Sequence, residues 1–253
     1  MITADLTGRR VIVTGGASGI GLAAVKMMAE MGAKVALNHL PDDEAGAARV
    51  AELTAAGLDV IAAPGNVGVA GEAEDMISDA INRLGGLDYL INNAGTPGTP
   101  EPVPPSDLDA MTEDFWQLLL NVNLIGPFRC AHAAADALKE SEGAIVNTAS
   151  VAGVGKQGSS LVYSATKTGL VSLTRSLARG LAPKVRVNAV APGQVKTPWT
   201  ENWPEERKQF ARDQSVLNRR SSPEEIAQGM LYLCAGTTMV TGHVLVIDGG
   251  QTL

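Results

Sequence analysis

Tyr163 and Lys167 stand four residues apart, and Ser150 lies thirteen positions before the tyrosine. In a helix that spacing puts phenol and ammonium on one face. An ammonium held nearby favours the phenolate, drawing the phenol pKa down from about 10. The pair would then give and take a proton near neutral pH. The flanks suit a helix over 161–181, with Leu170, Val171, Leu173 and Leu177 among small residues and Pro183 as a stop. Taken alone, such a pair is also a common surface contact, and Ser150 alone reads as a brace for the turn after a strand. Their chemical reading depends on the rest of the chain.

Near the N-terminus an apolar run, Val11-Ile12-Val13, enters Thr14-Gly15-Gly16-Ala17-Ser18-Gly19-Ile20-Gly21. A helix-like stretch to Met31 and a strand-like run, Lys34-Val35-Ala36-Leu37, follow. Strand, glycine turn, helix, strand is the context of a dinucleotide fingerprint. Glycines allow a tight turn and close backbone approach to a pyrophosphate. The helix behind them offers open N–H groups and a positive dipole end. The spacing is G-x-x-x-G-x-G, a variant of the usual device, and the bland alternative is an ordinary glycine-rich turn.

Thr14 to Gly21, Asn92-Asn93-Ala94-Gly95, Asn123, Ser150, Tyr163, Lys167 and Pro192-Gly193 fall in this order along the chain. Together they resemble the short-chain dehydrogenase/reductase family, in its branch of single-domain enzymes of this length. The resemblance runs through to Val246-Ile247-Asp248-Gly249-Gly250. It implies an NAD(P)(H)-dependent oxidoreductase that interconverts a carbonyl and a secondary alcohol by hydride transfer. Tyr163 is then the acid/base. Lys167 lowers its pKa and binds the nicotinamide ribose, and Ser150 donates to the substrate oxygen. Asn123 distorts its helix and holds a water leading to the lysine. Asn121 lies two residues away, but the run Leu124-Ile125-Gly126-Pro127-Phe128 selects Asn123. For the cofactor the resemblance implies Gly15, Ser18, Gly19, Ile20, Gly21, His39, Asn66, Val67, Asn93, Ala94 and Gly95. Pro192, Gly193, Val195 and Thr197 join them, with Tyr163 and Lys167. No metal ligand set is expected. The alternative is a nucleotide-sensing regulator that kept the fold without turnover, against which the intact catalytic set speaks.

The elements that must position these residues alternate along the chain. Helices are expected at 43–56, 70–84, 113–138, 161–181, 204–214 and 223–235. Short apolar strands are expected at 60–63, 87–91, 144–148, 185–190 and 244–247, besides the two near the N-terminus. Short apolar strands separated by helices predict a parallel sheet covered on both faces. No linker or repeat divides the chain, so residues 1–253 read as one doubly wound α/β domain of Rossmann type. Ligands in such a sheet sit beyond the carboxyl ends of the strands, where the glycine turn, Asn92–Gly95, Ser150 and Pro192-Gly193 all fall.

Composition agrees. With 45% hydrophobic and 19% charged residues, the chain can bury a sizeable core. A formal charge of −7 without a basic run argues against nucleic acid. Cys130 and Cys234 show no metal-ligand spacing and read as reduced core residues. The first residues lack a secretory pattern, and no apolar run suffices to span a membrane. A cytoplasmic location is the expectation.

Cofactor choice is weakly encoded. Strand two ends Leu37-Asn38-His39-Leu40, with no acid until Asp42 and Asp43. An acid at position 39 would bind the ribose hydroxyls and repel a 2′-phosphate. Ser18 replaces the basic residue of many NADP enzymes, so a slight preference for NADP(H) over NAD(H) rests on the missing repulsion. Asn66 stands where the family usually has aspartate beside the adenine. Trp199, Trp203 and Phe210 fall in the expected substrate lid, and the proline-rich stretch 96–106 is a second wall. Neither names a substrate: a sugar, a polyol, a steroid-like ketone and an acyl thioester all stay open. The resemblance also implies a homotetramer, through helices 113–138 and 161–181. Ala131, Ala134, Ala135, Leu170, Leu173 and Leu177 would allow close helix packing there. The C-terminal stretch 244–253 would meet another subunit.

Overall fold

The computed structural model describes residues 3–253. Seven parallel strands form one sheet in the order β3-β2-β1-β4-β5-β6-β7. They are β1 (Arg10–Val13), β2 (Lys34–His39), β3 (Val60–Pro64), β4 (Tyr89–Asn92), β5 (Ala144–Thr148), β6 (Arg186–Pro192) and β7 (Val244–Ile247). The chain reverses its direction of travel across the sheet between β1 and β4, which opens a crevice above them.

Strand alternation sorts the core onto two faces. Val11, Val13, Val35 and Leu37 face α1 (Gly19–Glu30), α2 (Glu44–Ala55) and α9 (Pro223–Leu231), against Met28, Leu53, Ile226 and Met230. Ile12, Ala36, Leu90 and Ile145 face α3 (Glu72–Leu84) and α5 (Gly126–Ser141), against Ile77, Ala80, Ala131, Ala134 and Leu138. The remaining helices are α4 (Glu113–Leu120), α6 (Leu161–Leu181), α7 (Pro198–Glu201) and α8 (Glu205–Asp213). At the start of β1 and β4, Arg10 Nε and Arg9 Nη1 donate to buried Asp88 at 2.7 and 2.9 Å. Burial alone would raise the Asp88 pKa, but these bonds outweigh it and hold the carboxyl below its ordinary value.

The expected elements are present, with ends displaced by one to three residues. The helix expected at 113–138 is interrupted: α4 and α5 are joined by a wide turn of π type, Asn121–Ile125. The helix at 223–235 likewise closes in a π turn, Tyr232–Gly236. Short α7 was not anticipated. Two buried asparagines pin α6 to the sheet. Asn92 Nδ2 donates to Asn147 Oδ1 at 3.0 Å, and Asn147 Nδ2 to Thr174 Oγ1 at 2.9 Å. Such paired amides replace the water they lose on burial and fix the height of α6 above β5.

Candidate active site

The turn from β1 into α1 is built for close backbone approach. Gly15 and Gly19 adopt φ of 61° and 53°, left-handed values that glycine accepts without strain. A Cβ at Gly21 would fall 2.1 Å from the Gly15 carbonyl oxygen, so only glycine fits. Ser18 makes no capping bond to α1, and no acidic residue stands in that helix's first turn. By contrast, Asp43, Ser160 and Ser222 cap α2, α6 and α9. The first N–H groups of α1 are thereby left for an external anion, the donor set that a pyrophosphate requires. A dinucleotide fits this cradle.

Two residues overlooked in the sequence hold the turn in place. Thr14 Oγ1 accepts from the backbone N–H of Asn93 and Ala94 at 2.9 and 3.0 Å. Asn38 Oδ1 accepts from Gly15 N at 3.0 Å, and its Nδ2 donates to the Ala63 and Gly65 carbonyls at 3.0 and 2.9 Å. Asn93 Nδ2 completes the clamp by donating to the carbonyls of Thr14 and Gly15, both at 3.1 Å. A polar side chain at the end of an apolar strand was the available signal for both.

Helix α6 starts where the Ser160 hydroxyl accepts from Tyr163 N at 3.0 Å, which fixes the tyrosine in the first turn. Lys167, one turn on, is buried; its Nζ lies 5.7 Å from the Tyr163 ring centroid and donates to the Thr148 carbonyl at 2.7 Å. Ser150 follows β5 in extended conformation and accepts from Ala152 N at 3.1 Å. The electrostatics differ from the expectation drawn from spacing. The Tyr163 side chain is half-buried, yet its packed surroundings push the phenol up to about 12, with the Ser150 hydroxyl pulling the other way. Burial pulls Lys167 down to about 8. Desolvation dominates both groups, and with the ammonium 5.7 Å from the ring the phenol still stays above its ordinary value.

Asn123 sits inside the π turn, fully buried. Its Nδ2 donates to Thr96 O at 2.9 Å, and Thr96 N donates back to its Oδ1 at 2.8 Å. A Cβ on Gly95 would lie 3.2 Å from Asn123 Oδ1 and 3.5 Å from Lys167 Nζ, so glycine lets the two polar groups close over it. Asn123 therefore stands behind the cleft wall and anchors the start of the 96–106 loop.

One cleft of about 410 Å³ gathers most of the expected site. The glycine turn contributes Gly15, Ser18, Gly19 and Ile20, and the end of β4 contributes Asn93, Ala94 and Gly95. Ser150, Tyr163 and Lys167 form one side, and Pro192, Gly193, Val195 and Thr197 the other. Gly21 packs beneath the turn. Asn66 opens instead onto a second cavity of about 520 Å³, with Leu40, Pro41, Asp42, Asp43 and Glu72. Val67 is buried and lines neither. Nor does His39: it continues the alternation of β2 onto the face covered by α2, where a Cβ on Gly46 would meet it at 2.6 Å. Its Nδ1 donates to the Leu40 carbonyl at 2.8 Å, while its buried Nε2 has no partner among the described residues. At the other end of the first cleft, Trp199 and Trp203 face Pro97, Pro100 and Pro102, with Arg207 beside them. Phe210 points to solvent and is 60% exposed.

Residues 15–252 match the family model described as enoyl-(acyl carrier protein) reductase. A 3-oxoacyl-(acyl-carrier-protein) reductase of Thermotoga maritima is 34% identical over 98% of this chain and 99% of its own. A subunit of a hydroxy(phenyl)methylsuccinyl-CoA dehydrogenase from Thauera aromatica is 36% identical over 97% of each chain. The crystal structure of a short-chain dehydrogenase from Burkholderia cenocepacia in complex with NADP superposes with a TM-score of 0.88. It shares 30% identity over 99% of this chain and 100% of that one.

Proposed function

The chain belongs to the short-chain dehydrogenase/reductase family, and we propose that Tyr163, Ser150, Lys167 and Asn123 are its catalytic group. Membership makes it an NAD(P)-dependent oxidoreductase that interconverts a carbonyl and a secondary alcohol. The observation that carries the residue assignment is the cleft in which Ser150, Tyr163 and Lys167 meet the uncapped start of α1.

In this reading the α1 N-terminus and the Ser18–Ile20 backbone hold the pyrophosphate, and Asn93–Gly95 with Pro192–Thr197 hold the nicotinamide half. The bound nicotinamide supplies or takes the hydride. Tyr163, fully protonated at neutral pH with its pKa near 12, gives its phenolic proton to the oxygen of a substrate carbonyl undergoing reduction. Alcohol oxidation returns that proton to the same phenolic oxygen. Ser150 donates a hydrogen bond to the substrate oxygen as charge grows there. Lys167, ammonium below about pH 8, stabilises the tyrosinate that proton donation leaves behind. Asn123 keeps the loop above Gly95 in place, so that the lysine stays screened from bulk water.

For the cofactor we favour NADP(H), supported by the NADP-bound neighbour. The second reading is NAD(H), favoured by one observation: Asp42, Asp43 and Glu72 around the second cavity would repel a 2′-phosphate. Following the reduced nicotinamide absorbance with both cofactors over a panel of ketones and alcohols tests all of this. Absence of turnover with every pair would overturn the catalytic assignment, and a higher kcat/KM with NADH would reverse the cofactor preference.

The proposed assembly is a homotetramer. Of the helix residues expected at its interface, Ala131, Ala134 and Leu170 are buried within the chain, the two alanines against its own sheet. Support comes instead from Leu118, Ile125 and Phe128, exposed along α4, the π turn and α5, and from Leu253. Light scattering at the single-chain mass of 26.2 kDa would refute it. None of the described helices is long and apolar enough to cross a membrane. A cytoplasmic location is supported by two free, buried cysteines.

A further inference from the structure

Arg207, on α8, lines the same cleft as Ser150 and Tyr163 but has no part in proton or hydride transfer. Its guanidinium carbon lies 3.4 Å from the centroid of the Trp203 ring, a stacked contact that fixes the plane of the cation. Among the described residues its one hydrogen bond runs from Nη1 to Glu101 Oε2 at 3.4 Å. That is long beside the ~2.8 Å of a well-formed charge-assisted bond. The two partners are also unequally covered: the Arg207 side chain is 24% exposed and that of Glu101 is 73% exposed. A guanidinium carries five N–H donors, so most of this fork is unspent. Burial lowers the Arg207 pKa and Glu101 only partly restores it, which marks a cation short of compensating charge.

We propose that Arg207, held flat by Trp203, receives an anionic oxygen group of the substrate, so that the enzyme acts on oxo or hydroxy compounds bearing a carboxylate or a phosphate. The proposal rests on the reading that the Tyr163 cleft processes a carbonyl or alcohol, and it adds the substrate class. A planar fork matches both anions bidentately. Glu101, on the opposite wall, occupies one corner of the fork and swings to solvent when the substrate arrives. Its carboxylate sets the threshold a substrate anion must exceed. A competing role, in which Arg207 merely latches the two walls through Glu101, makes the opposite prediction for Glu101→Gln.

Two measurements decide it. In the first, malonate and inorganic phosphate are titrated separately against tryptophan fluorescence, with sodium chloride at equal ionic strength as control. Wild type should give a saturable change, weakened roughly 10- to 100-fold in Arg207→Gln and strengthened in Glu101→Gln. The same curve in Arg207→Gln, or one reproduced by chloride, overturns the proposal. In the second, kcat/KM is compared for acetoacetate, its ethyl ester and acetoacetyl-coenzyme A, alongside whichever carbonyls the wider panel shows to turn over. Arg207→Gln should lose roughly 10- to 100-fold on the anionic members, mainly through KM, and less than about 3-fold on the ester. Preference between acid and coenzyme A thioester separates carboxylate from phosphate as the recognised group. Equal loss on ester and anion, or a uniform loss in Glu101→Gln, overturns the proposal and leaves the oxidoreductase reading intact. If no carbonyl turns over, the catalytic assignment fails, and the fluorescence titration still judges Arg207.

Discussion

Replacing Thr14 by valine removes one oxygen and keeps the shape, so it isolates what that oxygen does. Thr14 is 1% exposed, and its Oγ1 accepts two backbone N–H bonds, from Asn93 and Ala94, while donating weakly to Ile91 O at 3.4 Å. All three of its hydrogen-bonding capacities are in use. Valine leaves two N–H groups unpaired, each costing about 1–3 kcal/mol when buried. Both residues are half-buried, so the bottom of that range, about 1–1.5 kcal/mol each, applies and the pair should cost about 2–3 kcal/mol. For a chain of this size that is a fall in Tm of about 5–10 °C. Urea unfolding should show a lower midpoint at unchanged slope. Thr14→Ser keeps the oxygen and should lose only about 1 kcal/mol for its methyl. Asn93 to Gly95 line the cleft, so cofactor affinity should fall in the valine variant and persist in the serine one. A valine variant within about 0.5 kcal/mol of wild type, with undiminished cofactor affinity, would refute the argument that this hydroxyl assembles the β1–β4 crevice.

Tyr163→Phe should bind cofactor normally and lose roughly two or more orders of magnitude in turnover; retained turnover, read by nicotinamide absorbance, removes Tyr163 from the proton path. Lys167 titrates at about 8 when folded, below its ordinary 10.5. Between those values the unfolded chain binds more protons, so this group's contribution to stability rises with pH across that window and is least favourable below it. Lys167→Met should accordingly make the cofactor-free protein more stable at pH 7 by about 1–2 kcal/mol, after the lost Thr148 bond is subtracted. Urea midpoints of the variant should no longer rise between about pH 8 and 10, and an unchanged rise would assign it to other groups. Gly21→Ala forces a Cβ to 2.1 Å from the Gly15 carbonyl and 2.5 Å from Asn93 Nδ2. It should lower stability by about 1–3 kcal/mol and cofactor affinity at least 10-fold by calorimetry; neither effect appearing means the turn is freer than its packing indicates.

Much of this architecture was legible because local signals agreed with one another. The strands are short apolar runs, and α6 announces its end through Pro183 beyond the last turn, whereas its Ser160 cap was seen only in the structure. The glycine turn was readable because each glycine answers a steric demand. What escaped depends on facts that side-chain periodicity does not carry. A distortion of the helix at Asn123 was implied only by the family resemblance, because the extra residue of the π turn changes hydrogen-bond partners, not composition. His39 was assigned to the ribose by its position after a strand, whereas strand alternation carries it beneath α2. Ala131 and Ala134 are as suited to covering a sheet as to meeting another helix, and the sheet has them. Thr14 and Asn38 act through backbone groups distant in sequence, which only the assembled sheet brings within reach.

The π turn between α4 and α5 has a mechanical meaning. Leu119 and Cys130 are eleven positions apart, about three turns of regular helix, and would share one face of an unbroken rod. Here Leu119 packs with Met111 and Val162 near the substrate end, whereas Cys130 packs with Ala134 and Leu138 against the sheet. The inserted residue is a phase slip of about 100°. It lets one rod mesh with two differently oriented surfaces, as two cogs keyed at an angle on one axle. Deleting a single residue from 121–125 would leave Leu119 and Cys130 ten positions apart in a regular helix, about the same angular offset, so both apolar stripes would keep their walls while the wide turn itself is lost. It would also swing Asn123 off Thr96 and release the loop that closes over the lysine.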